Sequence, residues 1–172
     1  MTKGLIGVFV LLTSGCAWDS ESRYPAPGAS SPTVVSDYGH APTIVADRQS
    51  DLGWIVASLA QQQVGVPYLY GGDSPSGFDC SGLVNYAYRE AGLTVPRTTG
   101  ELWRRARAVD RRDARPGDLV FFDIDGKPGH VGLYVGDGFF VHAPSTGHEV
   151  RTQPLDSPWY SSRLLRVARL ID

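Results

Sequence analysis

The hydrophobic positions change period along the chain, and the changes divide it into three stretches. Residues 4–12 form an unbroken apolar run behind Lys3. Such a run is too short to cross roughly 30 Å of bilayer hydrocarbon as a helix. With a lysine before it and the small residues Thr13, Ser14 and Gly15 after it, the run predicts an export signal over residues 1–15. Residues 16–48 show little apolar periodicity and carry Pro25, Pro27, Pro32 and Pro42 among Ser, Ala, Gly and Asp. That composition predicts a flexible tether with a mean reach on the order of 30 Å. Residues 49–172 carry the patterning of one folded domain.

Within that domain the first period is helical. Leu52, Ile55, Val56, Leu59, Ala60 and Gln63 share one helix face, with Ser50 or Asp51 as cap and Gly65 and Pro67 as the stop. A glycine-rich loop over residues 68–78 follows. A second helix is expected from Cys80 to Ala91, capped by Asp79 and ended by Gly92, with Leu83, Val84, Ala87 and Ala91 facing the core. A third starts at Thr98, where Glu101 three residues on completes a capping box, and Arg104, Arg105 and Arg107 read as its solvated end. Beyond Arg112 the period drops to two, which predicts strands at about 118–123, 130–135, 139–143, 149–153 and 163–170. Helices first and an antiparallel meander second make the fold class α+β, with N-terminal helices packed on a small antiparallel sheet.

Charge adds little to this picture: a net charge of -2 with the two signs interspersed gives no basic face for nucleic acid. The cysteines add more, because only Cys16 and Cys80 exist. Leu12-Thr13-Ser14-Gly15-Cys16 resembles a bacterial lipobox, which implies cleavage before Cys16 and a lipid anchor on it; the alternative is an ordinary secretory peptide with an incidental cysteine. Ala17 after it, rather than Asp, implies the periplasmic face of an outer membrane. A lipidated Cys16 would leave Cys80 a lone thiol in an oxidising compartment, either a small buried hydrophobe or a reactive group.

Thiol catalysis needs a thiolate, a base, a group to orient the base, and donors facing an oxyanion. Cys80 at a helix start would gain from the dipole and the unpaired N–H groups there, although the charge of Asp79 opposes this. Such a thiol is expected to alkylate well below the pH at which an ordinary thiol, near 8.5, reacts. The base candidates lie on successive strands, His130-Val131-Gly132-Leu133-Tyr134-Val135 and Phe139-Phe140-Val141-His142-Ala143. A strict two-residue loop at Asp137-Gly138 would place the histidines on opposite faces. A three-residue Gly136-Asp137-Gly138 connection with a glycine bulge pairs 142 with 132 and puts both on one face; this second arrangement is expected. No metal site or cofactor is expected, since there is no His-Glu-x-x-His, and Tyr70-Gly71-Gly72 lacks the spacing and lysine of a phosphate loop.

Four ordered motifs then resemble the NlpC/P60 family of cysteine peptidases. They are Phe78-Asp79-Cys80-Ser81-Gly82-Leu83-Val84, Arg115-Pro116-Gly117-Asp118-Leu119-Val120-Phe121-Phe122, Gly129-His130-Val131-Gly132-Leu133-Tyr134, and Phe140-Val141-His142-Ala143. The resemblance implies a papain-like fold with Cys80 as nucleophile, His130 as base, and His142 as the residue that orients it. It also implies that Tyr68 shares the oxyanion with the Cys80 N–H, the rival being core packing of a loop aromatic. Asp79, Ser81 and Arg97 match positions that bind substrate, but Asp79 as a helix cap and Arg97 as a structural donor stay open. Leu102 stands where many relatives carry glutamine, a departure that weighs against a substrate contact at this position.

By the same resemblance the expected activity is hydrolysis of peptidoglycan stem peptides, the expected partner is that peptide, and the chain is expected to act as a monomer. The favoured bond is the D-alanine to diaminopimelate cross-link, with the D-glutamate to diaminopimelate bond as the alternative. Two rivals are a wall-associated scaffold that does no chemistry and acyl transfer on a lipid, the latter calling for an apolar tunnel.

Overall fold

A computed structural model describes residues 44–171, with side chains described from residue 52. The expected signal peptide, Cys16 and most of the expected tether lie outside the described residues.

Helix α1 spans Ile44–Gln61. It begins six residues before the expected cap, and residues 44–50 contain no Pro or Gly to prevent that earlier start. The glycine-rich loop folds back as a short hairpin of β1 (Asp73–Ser74) and β2 (Gly77–Phe78). Helix α2 (Cys80–Glu90) and helix α3 (Thr99–Arg105) follow with Asp79 and Thr98 as caps, and the box between Thr98 and Glu101 is closed in both directions.

Arg107 does not belong to the third helix. It opens β3 (Arg107–Val109), an edge strand with two exposed residues and hence no alternation to reveal it. After a 3-10 turn at Arg111–Asp113 come β4 (Leu119–Ile124), β5 (Lys127–Gly136), β6 (Phe139–His142) and β7 (Arg151–Pro154). Helix α4 (Pro158–Ser161), not expected from the sequence, precedes β8 (Leu164–Arg169). The six-stranded sheet is ordered β3-β8-β4-β5-β6-β7, antiparallel throughout.

Both faces of this sheet are covered, which explains the continuous apolar run in β4. Leu119 and Phe121 join Val131, Leu133 and Val141 beneath α1 and α2, with Val56, Ala60, Leu83, Val84, Ala87 and Tyr88. Val120 and Phe122 face the other way, into a smaller cluster with Phe140, Leu155, Val167 and Tyr160. Asp118, buried at the start of β4, takes two hydrogen bonds from Arg169 at 2.7 and 2.8 Å and fixes the end of β8 beside it.

Candidate active site

The helix bearing Cys80 is held by an interlocked polar cluster. The Asp79 carboxylate accepts from the Gly82 N–H at 2.6 Å, the Gly71 N–H at 3.0 Å and the Ser81 hydroxyl at 3.1 Å. Arg97 adds a fork to both carboxylate oxygens at 2.9 and 2.8 Å, and also donates to Ser81 Oγ and to the carbonyl of Gly72. Burial works against ionisation of Asp79, but the Arg97 and Gly82 hydrogen bonds outweigh it and hold the carboxyl below its ordinary value. Of the readings left open for Asp79, Ser81 and Arg97, this geometry favours the structural one, since the three side chains are engaged with one another.

The two histidines meet on one face of the sheet, as expected, by a different turn. Leu133 pairs with Val141 and Tyr134 with Phe140, after which the register shifts so that Gly136 pairs with Phe139. Val135 is therefore the extra residue, a bulge, and the loop itself is the two-residue Asp137-Gly138 turn with both φ angles positive, 51° and 79°. One inserted residue has the same effect on register wherever it sits, so His142 falls opposite Gly132 and His130 on the diagonal. A second irregularity lies between Phe122 and Asp123, where Phe122 pairs with His130 but Asp123 pairs with Pro128. It leaves Gly129 outside the ladder immediately before His130, a place where bulges commonly re-aim a side chain.

His130 Nε2 lies 2.8 Å from His142 Nδ1, and His142 Nε2 lies 3.2 Å from the Tyr160 hydroxyl. The His142 ring is wedged between Phe140 and Tyr160, with centroids 4.9 and 5.2 Å away. Burial pushes His130 down to about 4. It pushes His142 down to about 2, with the charges of His130 and Arg151 acting in the same direction. Both rings are therefore neutral at neutral pH, one nitrogen of each donating and the other accepting.

Cys80 and His130 line one cleft of about 470 Å³, together with Tyr68, Ile124, Pro144, His148, Arg151, Trp159 and Tyr160. Burial pushes the Cys80 thiol up; the Thr99 hydroxyl, 3.6 Å from Sγ, and the Val131 N–H pull it down without cancelling that effect, and the Asp79 charge adds to it. Burial thus opposes the help that the helix start was expected to give the thiolate. The helix start is present, but Cys80 is half-buried against the main core, and its lost hydration outweighs the donors around it. Tyr68 reaches the cleft from the loop before β1, its N–H bonded to the His148 carbonyl at 2.8 Å. Its hydroxyl is raised, first by burial and then by the nearby Cys80 and Asp79.

Sequence reasoning did not find Thr99, Arg151 or Tyr160. Thr99 carried a signal in the capping box next to it. Arg151 stands directly opposite His142 in the β6–β7 register, which becomes readable only once that pairing is known. Tyr160 is brought in by α4, across 18 residues from His142.

The layout of helices on a two-sided antiparallel sheet, with a helix-start thiol beside a strand-borne histidine, is that of a papain-like α+β domain. The chain belongs to the NlpC/P60 family, whose pattern matches residues 65–169. It is 37% identical over 158 residues to the probable endopeptidase YafL of Escherichia coli K12, covering 88% of this chain and 59% of that one. It is 41% identical over 123 residues to the murein DD-endopeptidase MepH of the same organism, covering 68% of this chain and 45% of the relative. Among solved structures, an NlpC/P60 family protein from Bacillus cereus ATCC 10987 superposes with a TM-score of 0.65 at 34% identity, covering 70% of this chain and 40% of that one. The chain thus spans about half the length of these relatives.

Proposed function

We propose that this domain hydrolyses amide bonds in peptidoglycan stem peptides through a thioester on Cys80. The observation that carries the reading is the contact of His130 Nε2 with His142 Nδ1, in the cleft that also holds Cys80 and Tyr68. With Nε2 committed to His142, the nitrogen that His130 offers for proton transfer is Nδ1. Its own proton then sits on Nε2 and is donated to His142 Nδ1. His142 in turn carries its proton on Nε2 and donates it to the Tyr160 oxygen, so the chain of contacts sets both tautomers.

His130 takes the proton of Cys80 as the sulfur attacks the substrate carbonyl, and returns it to the leaving amine. The Tyr68 hydroxyl and the Cys80 N–H donate to the oxyanion. Water, deprotonated by His130, then releases the acyl group. Asp79, Ser81 and Arg97 hold the glycine loop against the start of α2 and so fix the place of the nucleophile.

For the bond, we favour the D-alanine to diaminopimelate cross-link, supported by the likeness to a relative named a murein DD-endopeptidase. Mass analysis of products from purified cross-linked muropeptides tests this. Dimers converted to intact tetrapeptide monomers support it, and monomers cut after D-glutamate overturn it. Acyl transfer on a lipid fits poorly with His148, Arg151 and two tyrosines in the cleft. A lipid anchor at Cys16 and a tether of residues 16–48 would hold the domain at the periplasmic face of an outer membrane.

The role given to Tyr160 has its own expected result. Tyr160→Phe removes the acceptor for the His142 N–H inside a buried site, and kcat is expected to fall about tenfold with KM little changed. Steady-state kinetics check it, with the thermal midpoint as control. An unchanged kcat would mean that ring packing alone holds His142.

A further inference from the structure

Arg151 brings a positive charge into the cleft, and the chemistry above makes no use of it. It lies on β7 directly opposite His142, so the two side chains leave the same face of the sheet. It is half-buried and lines both the cleft of Cys80 and an adjoining hollow formed by Pro67, Tyr68, Gly147, His148 and Glu149. Its Nε is buried and has no hydrogen-bond partner. Among the described residues it forms no ion pair, and Glu149, the acid sharing that hollow, does not reach it. Arg97, by contrast, spends its guanidinium on Asp79, Ser81 and Gly72, and Arg112 spends its own on Asp110.

A partly desolvated guanidinium with an unused donor is costly unless something else supplies the oxygens. The ligand suited to a planar fork of N–H groups is a carboxylate. The proposed substrate carries one at a telling place. In a D-alanine to diaminopimelate cross-link, the carbon bonded to the scissile nitrogen also bears a free carboxylate. In the D-glutamate to diaminopimelate bond the carboxyl at that position is already in amide linkage.

We propose that Arg151 binds the diaminopimelate carboxylate next to the leaving nitrogen and so selects cross-links in which that group is free. The proposal rests on the stem-peptide reading above and narrows it. The field of Arg151 already reaches the relay, since it helps keep His142 neutral. A bound carboxylate would cancel that field when substrate arrives.

The test uses two cross-linked muropeptide dimers, identical except that this carboxylate is free in one and amidated in the other. Wild type is expected to favour the free form by about ten- to a hundredfold in kcat/KM, mostly through KM. Arg151→Gln should lose that preference, its kcat/KM on the free dimer falling to that on the amidated one, and Arg151→Lys, which keeps charge without the fork, should retain part of it. An Arg151→Gln protein that keeps the preference, or that is equally impaired on both dimers, would overturn the assignment. If wild type cleaves neither dimer, the stem-peptide hydrolase reading fails by itself. Binding of the two dimers to Cys80→Ala then decides Arg151 separately: tighter binding of the free form that disappears in the double variant with Arg151→Gln upholds it, and equal binding overturns it.

Discussion

Exchange of His130 for alanine is expected to lower kcat/KM by about 10³- to 10⁴-fold and, at the same time, to change the pH at which Cys80 reacts. Burial lifts the thiol above its ordinary value and lowers His130 to about 4. A lone thiol in this site is therefore slow at neutral pH, and the helix start does not rescue it. A lowered pKa keeps His130 neutral, and so able to accept a proton, until the pH falls through about 4. The acid limb of kcat/KM should accordingly lie well below 6.5, the ordinary position of a histidine. Alkylation of Cys80 in the wild type should follow the same limb, because His130 takes the proton as sulfur attacks. In His130→Ala it should require a pH above that of an ordinary thiol. Coincident alkylation profiles for the two proteins would show that His130 does not activate Cys80.

Gly82→Ala is expected to be the most damaging single methyl group near the site. A Cβ at this position would lie 1.9 Å from the carbonyl oxygen of Gly72 and 3.0 Å from Arg97 Nη2. The carbonyl cannot simply withdraw. It accepts from the Asp79 N–H at 3.0 Å and from Arg97 at 3.1 Å, and those bonds hold the loop that carries Tyr68 to the helix that carries Cys80. Relief requires the loop and the first turn of α2 to part, at the expense of part of the Asp79 cluster. A loss of about 3 kcal/mol is expected in denaturant unfolding, at the upper end for overpacking. Activity should fall further than the folded fraction does, because the nucleophile and the oxyanion donor move apart. A midpoint within experimental scatter of wild type would mean that the loop yields freely and that the cluster does not fix the site.

The elements that local chemistry determines were legible in the chain. Asp79 and Thr98 cap their helices because a short polar side chain followed by an apolar helical pattern has few other uses. The histidines share a face because two strands joined by glycine at positive φ admit only a few registers, and only one inserted residue aligns the rings. The sequence does not say which residue is inserted, since Val135 and Gly136 give the same outcome. What could not be read depends on partners distant in the chain. β3 exists because β8 offers it an edge, and α4 matters because Tyr160 meets His142 across the sheet. The titration of Cys80 belongs here as well: a helix start favours the thiolate, and burial of the sulfur by the folded chain, with the Asp79 charge beside it, acts the other way.

Catalysis by Cys80 is tested most directly by turnover of purified, cross-linked muropeptides by the wild-type protein and by Cys80→Ala, with released products identified by mass. New monomers are expected from the wild type and none above background from Cys80→Ala, although both proteins fold and bind the dimers. Equal release by the two proteins would contradict catalysis by Cys80, because the thiol would then have no part in the cleavage.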